Sequence, residues 1–217
     1  MLSALTILTM RIEHLAGSPD RAGRFLVRFE DGSSMRLYRQ TVEDFGLYIG
    51  LNLEPEQLSQ LRTAAGEMSA KMRAVRIVSA SSVSKRDLEQ RLIHKGEDPT
   101  QARAAVEWME ELDLLDDRKT AEQIVSSCIR KGYGMARAKQ ALYEKRIPKS
   151  LWEEALADYP DQSEKIIEFL RSRLSDNADD REVKRAIDAL LRRGHSYRQI
   201  RQGLEKLSLD TDEFPEE

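Results

Sequence analysis

The chain has 217 residues, of which 40% are apolar and 34% are charged, and only 11 are glycine and 6 are proline. This balance favours a folded, helix-rich protein that buries a sizeable core over a disordered chain. The single cysteine excludes an intramolecular disulfide and a cysteine metal cluster, and the net charge of −3 argues against binding nucleic acid mainly through phosphates.

The N-terminal residues lack the features of a membrane span or a secretion signal. Residues 1–8 are mostly apolar, but no basic region precedes them and Arg11 interrupts the apolar run early. We therefore expect a cytoplasmic protein that does not bind a membrane.

Residues 1–54 are predicted to form a β-rich head and a connecting segment. Glu30-Asp31-Gly32-Ser33 is a strong hairpin signal, and Gly17-Ser18-Pro19-Asp20 predicts an earlier turn. Three antiparallel strands are too few to be stable alone, so the head should pack against the helices that follow. The predicted strands are residues 6–13, 23–29 and 35–38.

From Pro55 onward, apolar residues recur at the spacing of an α-helix. The first helical segment is predicted to be either one long helix or a helix interrupted at Gly66. The chain after residue 66 contains three copies of one apolar pattern, and successive copies are offset by 50 and 48 residues. In each copy an amphipathic helix ends in a basic turn and a second helix follows. The turns are Lys95-Gly96, Lys145-Arg146 and Arg193-Gly194. A third helix precedes each pair, at about residues 67–80, 119–131 and 162–174.

We therefore predict a mainly α protein of tandem three-helix repeats, preceded by a small N-terminal antiparallel β segment. The repeats should span residues 55–117, 118–160 and 161–209, with an acidic tail at 210–217. The predicted core contains Leu88, Leu92, Val106, Leu142, Trp152, Leu156, Leu190, Ile200 and Leu204.

The histidines and the cysteine do not form a catalytic or metal-binding set. His14, His94 and His195 are scattered along the chain. His94 and His195 stand at helix-end turns, where a surface histidine that interacts with the helix dipole is expected. Cys128 falls in an apolar helical pattern and is expected to be a buried structural thiol.

Two pairs of carboxylates stand where helices should begin. Asp116-Asp117 and Asp179-Asp180 are interpreted as N-caps rather than as general acids or bases. We therefore predict a binding protein, not an enzyme, that needs neither a metal nor a cofactor.

The remaining candidates are cations in the second half of the chain. Residues 118–160 carry 9 basic and 5 acidic side chains and are net positive, whereas residues 1–66, 67–117 and 161–217 are each net negative. Lys139 and Arg146 are seven residues apart and share a helix face, and Arg181, Arg185 and Arg192 repeat at spacings of four and seven. Any one of them could be an ordinary solvated cation, but two basic edges on successive repeats predict a surface for a protein or DNA partner. Its predicted members are Lys131, Arg137, Lys139, Lys145, Arg146, Lys149, Arg192, Arg193, Arg198 and Arg201.

Three segments resemble the RecX family of bacterial regulatory proteins. Residues 43–51 (EDFGLYIGL) resemble the segment that joins head to helices in that family. Leu115-Asp116-Asp117 resembles the LDD start of a family helix. Residues 131–137 (KGYGMAR), with Leu142, Lys145 and Ile147, resemble its KGYG stretch, although Arg146 stands where the family pattern has a glycine.

The resemblance implies a monomeric regulator of the RecA recombinase. Members of the family have three three-helix repeats in an elongated curved array. They lodge in the groove of the RecA–single-stranded DNA filament and inhibit strand exchange, ATP hydrolysis and co-protease activity in the SOS response. The implied partners are the RecA filament and, through it, single-stranded DNA.

Two other functions stay open. One is a nucleic-acid-binding repeat protein that acts without RecA, which a salt-dependent affinity for bare DNA would favour. The other is a helical scaffold for an unrelated protein, which the absence of any effect on RecA would favour.

Overall fold

The computed structural model describes residues 9–17, 23–175 and 178–207. These residues form two compact units, which divide between Leu115 and Asp116. The described part of the chain is mainly α-helical, with one small antiparallel sheet near the N-terminus, as predicted. Several predicted features lie outside the described residues: positions 6–8 of the first strand, most of the turn at 17–20 and the acidic tail at 210–217.

The sheet has four antiparallel strands in the order β3-β2-β1-β4. They are β1 (Met10–Gly17), β2 (Arg24–Phe29), β3 (Ser34–Tyr38) and β4 (Asn52–Leu53). The predicted hairpin joins β2 to β3, and there the Asp31 carboxylate accepts hydrogen bonds from the Ser33 amide and hydroxyl. These bonds lower the pKa of Asp31. The prediction of three strands missed β4, because two residues are too few to show a strand period.

The segment at residues 45–53 returns the chain to the sheet. The Gly50 amide donates to the Ile12 carbonyl over 2.8 Å, and the Ile12 amide donates to the Leu51 carbonyl over 2.9 Å. Gly50 has a φ of +94°, a left-handed conformation that a side chain disfavours. Leu47 and Leu53 are buried on either side of this turn.

The head packs against the first helices, as expected. The short helix α1 (Arg39–Asp44) follows β3, and α2 (Pro55–Ala80) follows β4. Inward side chains of the strands and Leu61 of α2 form one apolar cluster. This cluster is built around the buried residues Ile12, Val27, Phe29, Leu37, Leu47, Leu53 and Leu61.

Helix α2 runs for 26 residues without a break at Gly66. Pro55 occupies its first turn, and Glu54 and Gln57 form a reciprocal capping box at its start. At Gly66 an added Cβ would lie 2.3 Å from the side-chain amide of Gln101. The glycine therefore leaves room for the end of the Gln101 side chain beside α2.

The second half of α2 packs with α3 (Lys85–His94) and α4 (Pro99–Glu111). The predicted core residues Leu88, Leu92 and Val106 are buried in this cluster. A buried carboxylate ties α2 to the α3–α4 turn, since Glu97 lies 2.7 Å from the Arg73 guanidinium and accepts from Ser69 over 3.0 Å.

The unit at residues 116–217 contains two further helical clusters. The first comprises α5 (Asp117–Arg130), α6 (Met135–Glu144), a 3₁₀ turn (Lys149–Leu151) and α7 (Trp152–Leu156). The second comprises α8 (Ser163–Arg173), α9 (Asp180–Arg192) and α10 (Tyr197–Lys206). The predicted core residues Leu142, Leu156, Leu190, Ile200 and Leu204 are buried.

Trp152 was predicted in the core but is only partly buried. Its indole Nε1 donates to the carbonyl of Ile147 over 3.0 Å, which holds the polar edge of the ring at the helix end rather than inside the cluster. Cys128 is buried as predicted, and burial raises the pKa of its thiol.

Helices α3, α6 and α9 end in the same way. In each, the amide five residues further along donates back to a buried leucine carbonyl: Glu97 to Leu92, Ile147 to Leu142 and His195 to Leu190, over 3.0–3.2 Å. The residue before each donor has a positive φ, namely +90° at Gly96, +55° at Arg146 and +84° at Gly194. This is the Schellman cap, and its spacing equals the offsets of 50 and 48 residues found in the sequence.

The two acidic pairs begin helices, as interpreted. Asp116 accepts from the amides of Arg118 and Lys119, and Asp179 accepts from the amide of Glu182. The boundaries given above for the head, the repeats and the tail stay a prediction.

Candidate partner-binding surface

Two turns of the second unit interlock near the predicted cations. The α5–α6 turn contains Lys131-Gly132-Tyr133-Gly134, and the α9–α10 turn contains Arg193-Gly194-His195. The Gly134 amide donates to the Arg193 carbonyl over 2.9 Å, and His195 Nε2 lies 3.0 Å from the Gly132 carbonyl. The KGYG resemblance therefore falls on the segment that joins the two helical clusters.

Glycine is required at this joint because the two backbones touch. A Cβ on Gly134 would lie 2.0 Å from the Gly194 carbonyl oxygen, and a Cβ on Gly194 would lie 2.3 Å from the Arg137 amide. Both distances are far below van der Waals contact, so any side chain would push the turns apart.

The α5–α6 turn is also fixed from within its own cluster. Gly132 has a φ of +64° and ends α5, after which the Tyr133 amide donates to the Cys128 carbonyl over 3.0 Å. The Tyr159 hydroxyl donates to the Tyr133 carbonyl over 2.6 Å. Burial raises the pKa of Tyr159 to about 12, so the hydroxyl keeps its proton for this bond.

The expectation that His195 lies at the surface is wrong. Its exposed fraction is 4%, because it occupies the cap position that Glu97 and Ile147 fill in the other two clusters. Burial is the main cause that lowers its pKa, so the ring is neutral near pH 7. A neutral ring that donates from Nε2 to Gly132 leaves Nδ1 unprotonated, and Nδ1 has no partner among the described residues. His94, in contrast, is exposed as expected.

Three of the predicted partner-binding residues meet at the interlocked turns. Lys131 places its ammonium 6.0 Å from the centre of the Tyr133 ring, and Arg193 places its guanidinium 4.4 Å from the centre of the Phe169 ring. Arg137 packs against Gly194 and pairs with Glu144 over 3.0 Å. An ion pair of this kind reduces the positive charge that a partner would meet.

The other predicted residues are distributed over α6, α9 and α10. Lys139 is exposed on α6, Lys145 caps that helix, and Arg146 follows it in the left-handed conformation. Lys149 opens the 3₁₀ turn and Arg192 ends α9. Arg198 and Arg201 are exposed on α10, where Arg201 pairs with Glu205 over 3.1 Å. One continuous surface made of all ten residues stays a prediction.

Sequence reasoning missed a groove between α8 and α9, called here the arginine groove. Its volume is about 490 Å³, and Phe169 and Arg193 also line an adjoining groove of about 300 Å³. The spacing of seven between Arg185 and Arg192 is the sequence signal for this groove, but that spacing does not show that α8 packs beside α9. The groove is lined by Phe169, Arg173, Glu182, Arg185, Ala186, Ala189, Arg192 and Arg193.

The described residues contain no group of three or more His, Cys, Asp or Glu side chains placed to hold a metal ion. None of the helices in that part of the chain is both long and apolar enough to cross a membrane.

One protein-family model matches residues 116–156 of this chain. The family is described as RecX, second three-helix domain. The matched interval begins at the Asp116 N-cap, contains the α5–α6 turn and ends with α7.

Curated relatives named "Regulatory protein RecX" are similar to most of the chain. The Vibrio parahaemolyticus protein is 28% identical over 144 residues, which cover 63% of this chain and 90% of the relative. The Halorhodospira halophila protein is 29% identical and covers 70% and 97%, respectively. The Streptococcus mutans protein is 24% identical over 200 residues and covers 89% and 76%.

Two solved structures share the fold. A crystal structure of a regulatory protein RecX superposes with a TM-score of 0.59 at 18% identity and covers 89% of this chain and 99% of that one. The crystal structure of RecX from Lactobacillus salivarius gives a TM-score of 0.56 at 24% identity and covers 67% and 98%.

Proposed function

Because the chain belongs to the RecX family of regulatory proteins, we propose that it binds the RecA–single-stranded DNA filament and inhibits the recombinase, ATPase and co-protease activities of RecA. In this proposal the protein is a cytoplasmic binding protein that carries no catalytic site and acts as a monomer in DNA repair, recombination and the SOS response.

The observation that carries the proposal is where the family resemblance falls. The matched interval, residues 116–156, contains the turn whose backbone is hydrogen-bonded to the α9–α10 turn. That contact keeps Lys131, Arg137 and Arg193 close together. Cations on a rigid joint of two helical clusters present a fixed pattern of charge, which favours recognition of one partner geometry.

Inhibition by binding follows from linkage. In this proposal, ATP hydrolysis and strand exchange require the filament to pass through several conformational states. A ligand that binds one of those states more tightly than the others raises its population by that difference in affinity. A protein that contacts several filament subunits can therefore slow the cycle without any chemistry of its own.

The test is a titration of the protein into a RecA ATPase assay with circular single-stranded DNA. We expect the hydrolysis rate to fall to a plateau well below the uninhibited rate, with strand exchange and co-protease activity falling in parallel. An unrelated DNA-dependent ATPase on the same DNA is the control, because simple coating of the DNA would inhibit both enzymes. A RecA rate that stays constant at saturating protein would refute the proposal.

A further inference from the structure

The arginine groove concentrates positive charge that the protein does not neutralise. None of Arg173, Arg185, Arg192 and Arg193 forms an ion pair within the described residues. Some other cations of the same unit do have carboxylate partners. These pairs include Arg118 with Glu154, Arg137 with Glu144 and Arg201 with Glu205.

The lining contains one carboxylate, Glu182, against four guanidinium groups. Like charges that share one concave wall raise the local potential and favour an anionic ligand with several charges. Four unpaired guanidinium groups are therefore concentrated in the groove, whereas the charges of Arg137 and Arg201 are reduced by their ion pairs.

An aromatic ring lies on the same wall. Phe169 is only partly buried, with Arg193 4.4 Å and Arg173 5.6 Å from the centre of its ring. Planar guanidinium groups and aromatic rings both stack on nucleic-acid bases, whereas a carboxylate-rich peptide gains nothing from the ring. The small side chains of Ala186 and Ala189 leave the space beside it open.

The positive wall continues past the ring. The adjoining groove of about 300 Å³ adds Arg130, Lys131 and Lys165, although Lys165 is paired with Glu168 over 2.8 Å. Cations therefore line both of the grooves that meet at Phe169. This arrangement matches a strand whose negative charges repeat along its length and whose bases are free to stack.

We propose that the arginine groove binds single-stranded DNA, with backbone phosphates at Arg173, Arg185 and Arg192 and a base against Phe169 and Arg193. A duplex does not fit this site equally well, because its bases are already stacked and cannot reach the ring. This inference deepens the function proposed above by naming the residues that contact the DNA strand, but it holds for bare DNA as well.

The first test measures binding of a fluorescent oligothymidylate by anisotropy over a series of salt concentrations. The double variant Arg173→Gln/Arg185→Gln should bind about tenfold more weakly at low salt. Losing two phosphate contacts should also reduce the slope of log affinity against log salt by about 1.4, since each contact on a single strand contributes about 0.7. The matched control is Arg118→Gln/Lys119→Gln, which removes the same charge from two ion-paired residues outside the groove and should bind like the parent.

The second test separates the ring from the charges. Phe169→Leu keeps an apolar side chain but removes the stacking face, so affinity should fall several-fold at every salt concentration with the slope unchanged. Glu182→Gln removes the one opposing carboxylate and should tighten binding about two- to threefold, the reverse of the arginine variants. Circular dichroism and thermal melting must show each variant folded.

Equal binding by the Arg173→Gln/Arg185→Gln variant and the parent would overturn the inference, as would an equal loss in the control variant. A duplex of the same length or an oligoglutamate peptide that binds as tightly as the oligothymidylate would also overturn it. RecA ATPase inhibition, measured on the same preparations, tests the proposed function separately. A parent that binds the oligonucleotide through the groove but leaves RecA unaffected would refute that function and support this inference.

Discussion

At the scale of single residues, Arg146 shows how a repeat can depart from its own pattern. The equivalent caps use Gly96 and Gly194, whose φ angles are +90° and +84°, whereas Arg146 takes +55° with a side chain attached. A Cβ in this region meets the following carbonyl, so the conformation is unfavourable for every residue except glycine.

We expect Arg146→Gly to stabilise the protein by about 0.5–1 kcal/mol, because relief of the left-handed strain exceeds the added entropy of the unfolded chain. Urea denaturation measures the free energy of unfolding. The matched control is Lys145→Gly, one residue earlier at a φ of −85°, which should be neutral or destabilising. An Arg146→Gly variant no more stable than the parent would show that the cap is not strained.

His195 makes stability depend on pH. Burial lowers its pKa below the ordinary value of 6.5, so the unfolded chain binds a proton before the folded one does. The stability that the neutral His195 ring contributes is complete above pH 6.5. It is lost as the pH falls from 6.5 towards the lowered pKa of the folded state. Protonation would also place an N–H at Nδ1, where the described residues offer no acceptor.

Melting curves should therefore show a falling Tm as the pH is lowered through 6.5, and His195→Gln should flatten this part of the profile. His94→Gln is the matched control, because His94 is exposed and ends the equivalent helix α3. That variant should keep the pH dependence of the parent. A profile that His195→Gln leaves unchanged would assign the effect to another group.

At the scale of elements, each helical cluster depends on a few buried leucines. Leu142 of α6 has an exposed fraction of 0%, whereas its neighbour Tyr143 is 69% exposed. We expect Leu142→Ala to cost about 2–5 kcal/mol of unfolding free energy, the range for buried leucine truncations, and Tyr143→Ala to cost less than about 0.5 kcal/mol. Urea denaturation of both variants compares adjacent positions on one helix. Similar losses would mean that the cluster does not depend on the Leu142 side chain.

The interlocked turns can be tested through two glycines with similar backbone conformations. Gly96 and Gly194 have φ angles of +90° and +84°, but only Gly194 has another backbone within 4 Å of an added Cβ. Gly96→Ala should cost about 1–2 kcal/mol from the conformation alone. Gly194→Ala should cost about 1–3 kcal/mol more, since the Arg137 backbone must move.

Thermal or urea unfolding measures both changes, and hydrogen exchange at the Gly134 amide reports the joint directly, because that amide donates to Arg193. Faster exchange in Gly194→Ala with normal exchange in Gly96→Ala is the expected result. Equal effects of the two substitutions would mean that the turns are not interlocked in solution.

At the scale of the whole molecule, the predicted partner-binding surface is tested by charge reversal. Lys139, Arg146 and Lys149 are exposed, and reversing them leaves the joint intact, whereas Arg137 packs against Gly194 and is better avoided. The combined change Lys139→Glu, Arg146→Glu and Lys149→Glu should raise the concentration needed to inhibit RecA by about tenfold or more, with the largest effect at low salt. Helix content and Tm should change little.

The control is a triple reversal of cations in the first unit, Arg62→Glu, Arg86→Glu and Arg103→Glu, which changes the net charge equally. If both variants inhibit as the parent does at every salt concentration, these cations are ordinary solvated surface residues.

Features with local causes can be predicted from the amino-acid sequence. Helix periodicity, the N-caps at Asp116 and Asp179 and the repeated cap at Leu92, Leu142 and Leu190 all depend on residues within two turns of one another. Such patterns are visible in one dimension, and eight of the nine predicted core residues are buried. The KGYG and FGL segments also carried the family resemblance.

Features that join distant segments depend on packing and cannot be predicted from local patterns. The His195 ring faces the Gly132 carbonyl, 63 positions earlier, and no local pattern records that contact. The two-residue strand β4 exists because β1 offers it hydrogen-bond partners. The arginine groove needs α8 and α9 to pack side by side, so that Phe169 and Arg173 face Arg185 and Arg192. Periodicity fixes which face of a helix is apolar, but the angle and partner of that face depend on packing between helices.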